Sequence, residues 1–220
     1  MNETTGGAAA WYERPTLTGR RVILRPLEQA DADHWLDALG RPADAEQLWR
    51  GMTVPLPTTP QQAHRIVADH LARQDAQESV CFTQLDAVGG RLAGLTTYYD
   101  LDPAHRALAI GWTWIARPFW STGLNAESKL LLLERAFDVL GAVRVVWHVD
   151  IRNVRSQAAV GRLGAVREGV LRKHKLRPDG TWRDTVLFAM TDDDWPANRE
   201  RLRERVDAHQ KPLRDPSGRP

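Results

Sequence analysis

The chain has a single cysteine, Cys81, among its 220 residues. One thiol cannot form an intramolecular disulfide, and a metal site built from several cysteines is excluded. The apolar neighbours of Cys81 are typical of a buried structural thiol. No apolar run approaches the ~20 residues of a membrane span, and residues 1–10 do not resemble a signal peptide. We therefore expect a reduced, cytoplasmic protein with no metal and no membrane partner.

An excess of charge of one sign is also missing. The 30 basic and 28 acidic residues give a formal net charge of +2, which does not indicate a nucleic-acid partner. The length fits one domain with extensions. We expect a flexible leader over residues 1–13, a single domain over 14–195, and a charged helix followed by a disordered tail over 196–220.

Two glycine-rich motifs that bind nucleotide phosphates are absent as well. A turn of small residues ends at Ala126 and opens a helical pattern, but its only glycine is Gly123. A dinucleotide fold requires three glycines in G-x-G-x-x-G, and the chain has no G-x-x-x-x-G-K-[ST] motif. Asp150, at the end of the next strand, stands where a ribose-binding carboxylate belongs, yet the missing glycines disfavour that class. The free N–H groups at the start of a helix still make the turn a candidate anion site, with a diphosphate as a frequent ligand.

The hydrophobic pattern predicts a mixed α/β domain. Apolar residues spaced as on one helix face follow the turn, at Ala126, Leu130, Leu133, Phe137 and Leu140. The next run, 143–149, is typical of a strand buried on both faces. The predicted order is strand 17–26, helices 28–39 and 61–74 separated by a loop over 42–60, strands 80–85, 92–99 and 107–115, a helix after 124, strand 143–149, helix 153–163, strands 166–175 and 181–190, and helix 194–208.

This order and a series of short motifs resemble the GNAT superfamily of acyl-CoA-dependent N-acyltransferases, in particular its RimJ/RimL-like branch. The resemblance extends over about residues 17–195. It implies an α/β fold in which a central mixed antiparallel and parallel sheet, with two splayed strands, is flanked by helices. The motifs that carry it are Leu24-Arg25-Pro26-Leu27, Ile110-Gly111-Trp112, the loop 120–126, Ala136-Phe137, Asn153-Val154-Arg155-Ser156, Leu163-Gly164-Ala165 and Glu168-Gly169-Val170-Leu171-Arg172.

The resemblance also implies where the cofactor, acetyl-CoA or a related acyl-CoA, binds. The family's pyrophosphate loop reads Q/R-x-x-G-x-G/A; Gly123 matches it, whereas Trp120 and Asn125 replace its first and last positions. Backbone N–H groups supply most of the binding, so the loop keeps its role despite these departures. The implied cofactor-binding residues are Trp114, Ile115, Trp120, Ser121, Thr122, Gly123, Leu124, Asn125, Ala126, Asn153 and Ser156.

The catalytic residues implied by the family are Ser156 and Glu168. Ser156 would protonate or stabilise the departing CoA thiolate, and Asn153, three residues earlier, would hold pantetheine or merely cap the helix. The amine must lose a proton, for which Glu168, Asp184 and His148 are candidates, and we favour Glu168. Trp112 and Trp114 alternate with Thr113, so their indoles face one side, either in the core or toward the acceptor.

We therefore expect an N-acyltransferase, most simply an N-acetyltransferase, that transfers the acyl group directly to a primary amine in a ternary complex. The expected acceptor is a protein N-terminus, a small amine or an aminoglycoside-like compound, and dimerisation, common in the resembled branch, is a further expectation. The alternatives are an acyl-CoA-binding protein with little catalysis, the use of a longer acyl-CoA such as succinyl-CoA, and an interaction module built on the charged C-terminal segment.

Overall fold

The computed structural model describes residues 7–208. One sheet of eight strands organises this part of the chain, in the order β1-β2-β3-β4-β5-β6-β8-β7. Its strands are β1 (Leu17–Thr18), β2 (Val22–Pro26), β3 (Ser79–Asp86), β4 (Leu92–Asp102), β5 (Ala107–Ile115), β6 (Arg144–Asp150), β7 (Val166–Leu176) and β8 (Trp182–Thr191). Neighbouring strands are antiparallel except β5 and β6, which are parallel. The predicted mixed sheet is confirmed.

β5 and β6 diverge along their length. They pair only at their beginnings, where Ala107, Leu108 and Ala109 face Arg144, Val145 and Val146. Beyond that point β5 continues on β4 and β6 continues on β8, with an irregular register between Leu95 and Thr97 of β4. The later backbone edges of β5 and β6 therefore lack each other as partners, and the predicted splay is present.

Helices cover both faces of the sheet. The six helices of the described chain are α1 (Trp35–Leu39), α2 (Pro42–Trp49), α3 (Pro60–Asp75), α4 (Leu124–Glu134), α5 (Val154–Gly161) and α6 (Trp195–Ala208). Trp35 and Trp49 pack on Trp114, so α1 and α2 lie on one face. Tyr98, which points to the opposite face, donates a hydrogen bond from its hydroxyl to the Leu132 carbonyl of α4. A buried apolar cluster fills the space between the sheet and both helix layers.

Two predicted elements differ in detail from the structure. The expected loop over 42–60 begins with α2, because Pro42 occupies the first turn, where a missing N–H costs nothing. The helix that begins at Leu124 ends in a turn of π-helix, Arg135–Val139.

Both ends of the described chain contain helical structure. Within the expected flexible leader, Ala8–Tyr12 form a 3-10 turn and the Trp11 side chain is buried in the core. The predicted C-terminal helix is observed as α6, which buries Leu202 and Val206. Residues 1–6 and the tail from 209 onward, where disorder is expected, lie outside the described residues. None of the helices described over residues 7–208 is long and apolar enough to cross a bilayer.

Candidate active site

A cleft of about 390 Å³ opens where β5 and β6 separate. The two strands form its walls with residues 110–115 and 147–150. The turn before α4, the helix α5, and α2 with the turn after it complete the lining. The cleft thus takes side chains from both faces of the sheet, so two molecules can approach the same point from opposite sides.

The turn before α4 has the backbone geometry of an anion site. Ser121 and Gly123 have positive φ angles, 62° and 88°, and such turns direct successive N–H groups toward a common point. Gly123 is the N-cap residue and makes no side-chain capping bond to the first turn of α4. Thr122 Oγ1 instead donates to the Phe119 carbonyl and so stabilises the turn from within. The same hydroxyl oxygen accepts the Leu124 N–H at 3.4 Å, so the N–H groups that follow Leu124 are the ones left at the positive end of α4 for an anion.

Trp120 lies between two arginines at the mouth of the cleft. The Arg117 and Arg155 guanidinium carbons lie 4.2 and 3.2 Å from the centre of its ring. Trp120 Nε1 donates to the Ile115 carbonyl at 2.7 Å, which attaches the ring to the end of β5. Arg155 from α5 therefore places a positive charge beside the turn, although position 120 itself is uncharged.

The first turn of α5 brings Asn153 and Ser156 to the cleft. Asn153 Oδ1 accepts the Ser156 backbone N–H at 3.0 Å, so Asn153 is an N-cap residue. Its side-chain amide nitrogen lies against Gly51, where an added Cβ would come within 2.4 Å of it. A side chain at position 51 would have to displace the Asn153 amide, so the segment after α2 lies close against the start of α5.

Strand β5 is irregular along the cleft. Trp112 has a φ of 51°, a left-handed conformation that is strained for an aromatic residue. Trp112 packs edge-on against His70 of α3, and Trp114 packs similarly against Trp35 of α1. Both indoles therefore lie on the face covered by α1 to α3, as their spacing predicts, while both residues also line the cleft.

One histidine of β6 also lines the cleft. His148 Nδ1 lies 2.9 Å from the hydroxyl oxygen of Tyr99 on β4. Burial lowers the pKa of His148 below its ordinary value, and the nearby His174, Lys175 and Arg183 lower it further, against an opposing effect of Asp100. An uncharged imidazole is thus available in the cleft near pH 7.

Comparison with known proteins identifies the family. The model of the acetyltransferase (GNAT) domain matches residues 21–166, which is more than half of the chain. The chain is a member of the GNAT acetyltransferase family. Its activity is accordingly acyl-CoA-dependent N-acetyl transfer.

Individual relatives agree with this GNAT membership. A candidate ribosomal N-acetyltransferase of Bacillus subtilis, YdaF, is 30% identical over 106 residues, which are 48% of this chain and 57% of that protein. The structure of a candidate acetyltransferase from T. thermophilus is 36% identical, with a TM-score of 0.78 over 88% of this chain and 97% of the other. A GCN5-related N-acetyltransferase from Brucella melitensis is 27% identical, with a TM-score of 0.83 over 94% and 90%.

Most of the residues expected to bind the GNAT cofactor meet in the cleft. They are Trp114, Ile115, Trp120, Ser121, Gly123, Asn125, Ala126, Asn153 and Ser156. Two residues of the turn are not part of its lining. Thr122 Oγ1 donates to the Phe119 carbonyl and accepts the Leu124 N–H, and the Leu124 side chain is buried in the core, so neither side chain faces a ligand.

The expectation for Glu168 as the base needs a correction. Both of its carboxylate oxygens accept hydrogen bonds from Arg144, which holds the pKa of Glu168 below its usual value. Arg144 belongs to the part of β6 that still pairs with β5, so the ion pair lies away from the splay. Asp184 is also outside the cleft lining and accepts the Lys173 backbone N–H. Of the three base candidates, His148 alone lines the cleft.

Asp150 lines the GNAT cleft but is not available to a ribose. Arg177 Nε donates to one carboxylate oxygen at 2.7 Å and Arg177 Nη2 to the other at 2.9 Å. Burial acts to raise the pKa of Asp150, but the bonds from Arg177 and from the Arg152 N–H outweigh it and lower the pKa. Asp150 is therefore a structural carboxylate at the junction of β6 and the β7–β8 hairpin.

Sequence reasoning missed three residues in or beside the cleft, Arg155, Tyr99 and Lys129. Arg155 belongs to a motif whose other residues carry the expected roles. Tyr99 reaches His148 from β4, a strand that does not line the cleft. Lys129 falls within the apolar stripe of α4, where a long polar side chain gives no signal of burial. Over residues 7–208 no group of three or more His, Cys, Asp or Glu side chains is arranged to hold a metal ion.

Proposed function

We propose that this GNAT protein transfers an acetyl group from acetyl-CoA to the α-amine of a protein, in a ternary complex. The observation that carries the proposal is the cleft between β5 and β6, whose lining includes a turn with the backbone geometry of an anion site and an uncharged histidine. Direct transfer requires both reactants to lie against the same strand segment, and the splay offers that segment from both faces.

The residues of the cleft fit the phosphates of CoA. The turn 121–123 presents backbone N–H groups at the positive end of α4. Arg155 adds a guanidinium that forms no ion pair within the described residues and is stacked on Trp120. Asn125 Oδ1 is a buried acceptor without a partner in the described part of the chain, as expected of a group that serves a ligand. Bound acetyl-CoA supplies the acetyl group activated as a thioester.

The strands and α5 would hold the rest of the cofactor. Beyond Ala109 of β5 and Val146 of β6 the two strand edges do not pair with each other, so they can offer backbone groups to amides. The Trp114 and Ile115 carbonyls are exceptions, because they accept hydrogen bonds from Gln84 Nε2 and Trp120 Nε1. An N–H of the bulged segment of β5 is suited to polarise the thioester carbonyl. Asn153, held by Gly51 and by the Ser156 N–H, orients the helix so that Ser156 Oγ can give a proton to the leaving sulfur.

His148, in place of Glu168, is the proposed proton acceptor. In the productive tautomer Nδ1 carries the proton and donates to the Tyr99 hydroxyl oxygen, which leaves Nε2 free to accept. The lowered pKa keeps the imidazole uncharged near pH 7, as a base requires. Tyr99 stays protonated, because burial raises its pKa above the ordinary value.

A protein acceptor is supported by the name of YdaF, a candidate ribosomal N-acetyltransferase. The wall of the cleft formed by α2 and the following turn includes Gln47, Leu48 and Met52. Met52 lines the cleft, whereas Trp49 belongs to the buried aromatic cluster and Arg50 is exposed. The domain limits at 14–195, the homodimer and the cytoplasmic location stay predictions.

The test is acetyl transfer by the purified protein. Acetyl-CoA is incubated with N-terminally free peptides, the same peptides with a blocked α-amine and an internal lysine, and a set of small amines. We expect thiol release and a gain of one acetyl group on the α-amine of free peptides only. Transfer to small amines but to no peptide would show that the acceptor is a small molecule and not a protein. Binding of acetyl-CoA without transfer to any amine would contradict the proposal.

A further inference from the structure

A lysine is buried beneath the bulged strand of the cleft. Lys129 on α4 is 5% exposed and forms no ion pair within the described residues 7–208. Its Nζ donates to Thr96 Oγ1 of β4 at 2.8 Å and to Thr113 Oγ1 of β5 at 2.9 Å. Burying an ammonium without a carboxylate is costly, and this burial lowers the pKa of Lys129 to about 7. A methionine of similar length would fill the space without that cost, so a contribution to stability does not explain the lysine.

The two threonines lie where β5 departs from regular pairing. The register of β4 and β5 shifts between Leu95 and Thr97, so Thr96 falls at the irregularity. The Thr96 and Thr113 hydroxyl oxygens lie 2.9 Å apart, and Thr113 Oγ1 also lies 3.3 Å from the Gly111 carbonyl. The Lys129 side chain thus connects α4 to both strands next to the left-handed Trp112.

We propose that Lys129 is a positioning residue for acyl transfer, which holds the bulged end of β5 in its open conformation through Thr96 and Thr113. The clamp, defined as Lys129, Thr96 and Thr113, fixes the backbone of residues 112–115 relative to α4 and the anion-binding turn. Since the same backbone segment is the one suited to polarise the thioester, the clamp sets its distance from the bound phosphates. This role rests on the proposed function of the cleft.

The test compares Lys129→Met with the wild type in kinetics and in amide hydrogen exchange. We expect kcat to fall roughly tenfold or more, as for the loss of a charge-assisted contact, with the Kd of acetyl-CoA within about threefold of wild type. In the protein without ligand, the amides of 110–115 should exchange at least tenfold faster, and those of β3, 79–86, should be unchanged.

A matched pair at Thr96 tests the clamp even where Lys129→Met fails to fold. Thr96→Val keeps the shape but removes the hydroxyl, whereas Thr96→Ser keeps the hydroxyl. Thr96→Val should reproduce the loss of kcat and the faster exchange, and Thr96→Ser should restore both. Thr96 is fully buried and does not line the cleft, so neither variant touches a ligand directly.

Three results would overturn the clamp. They are wild-type kcat and exchange in Lys129→Met, a rise in the Kd of acetyl-CoA that accounts for the whole loss of kcat/KM, and equal behaviour of Thr96→Val and Thr96→Ser. A wild-type protein that transfers no acetyl group would contradict the proposed function, whereas the exchange comparison would still decide whether the clamp exists.

Discussion

At the scale of single residues, His148 lies among side chains that keep its imidazole uncharged. Burial is the main cause, and the positive charges of Lys175 and Arg183 add to it. Glu168, on the neighbouring hairpin, is bound to Arg144 and stays charged. His148 can therefore accept a proton near pH 7, whereas Glu168, bound to Arg144, is a poor proton acceptor.

We predict that His148→Gln lowers kcat/KM about a hundredfold, the usual contribution of a general base. Because the pKa of His148 is lowered, the imidazole is neutral above that pKa, so wild-type kcat/KM should fall on acidification with a midpoint below pH 6.5. The variant should lose this acid limb, which a pH profile measures. The acceptor amine titrates near pH ~8 and contributes a limb that both proteins share.

The matched control for that profile is His105→Gln. His105 is largely exposed, pairs with Asp102 in the β4–β5 turn and does not line the cleft. It should have wild-type kcat/KM at every pH. An acid limb that persists in His148→Gln would assign the proton acceptor to another group.

At the scale of secondary-structure elements, α4 joins the ligand site to the edge of the sheet. Its first turn faces the cleft, while Glu127, in the same turn, is buried against the β1–β2 connection. The Glu127 carboxylate accepts the backbone N–H groups of Arg20, Arg21 and Val22 at 2.9, 2.6 and 3.2 Å. This contact spans more than one hundred residues of sequence and fixes the start of the helix.

We predict that Glu127→Gln lowers the free energy of unfolding by about 2 kcal/mol. The amide cannot accept all three bonds, and its NH₂ group would meet a backbone donor in a buried site. Urea denaturation measures the change. The control Glu46→Gln, at an exposed position of α2, should stay within about 0.5 kcal/mol of wild type. Equal stability of the two variants would show that the carboxylate does not fix the helix.

At the scale of the whole molecule, much of the fold could be predicted from the sequence. Periodic apolar residues and turn-forming residues indicated the strand and helix order, and the continuous apolar run at 143–149 indicated a strand buried on both faces. The β5–β6 splay and most of the cofactor turn came from the resemblance to a family. What local patterns did not show were contacts between distant segments.

Three of those contacts decide the site. The Arg144–Glu168 pair depends on how β6 and β7 lie on either side of β8, which no local pattern specifies. The stacking of Arg155 on Trp120 joins α5 to the turn before α4. The burial of Lys129 requires the β5 bulge above it. Each depends on register or helix placement, so the base, the loop's positive charge and the clamp required the three-dimensional structure.

Acetyl-CoA is proposed to bind in the cleft between β5 and β6, and calorimetric titration of acetyl-CoA tests this binding most directly. Trp120→Ala removes the ring that holds Arg155 and should raise the Kd about tenfold, because a stacked guanidinium beside the phosphates is released. Trp182→Ala, at a half-exposed tryptophan outside the cleft, should bind as the wild type does. Equal Kd values for all three proteins, or no binding to the wild type, would contradict the account.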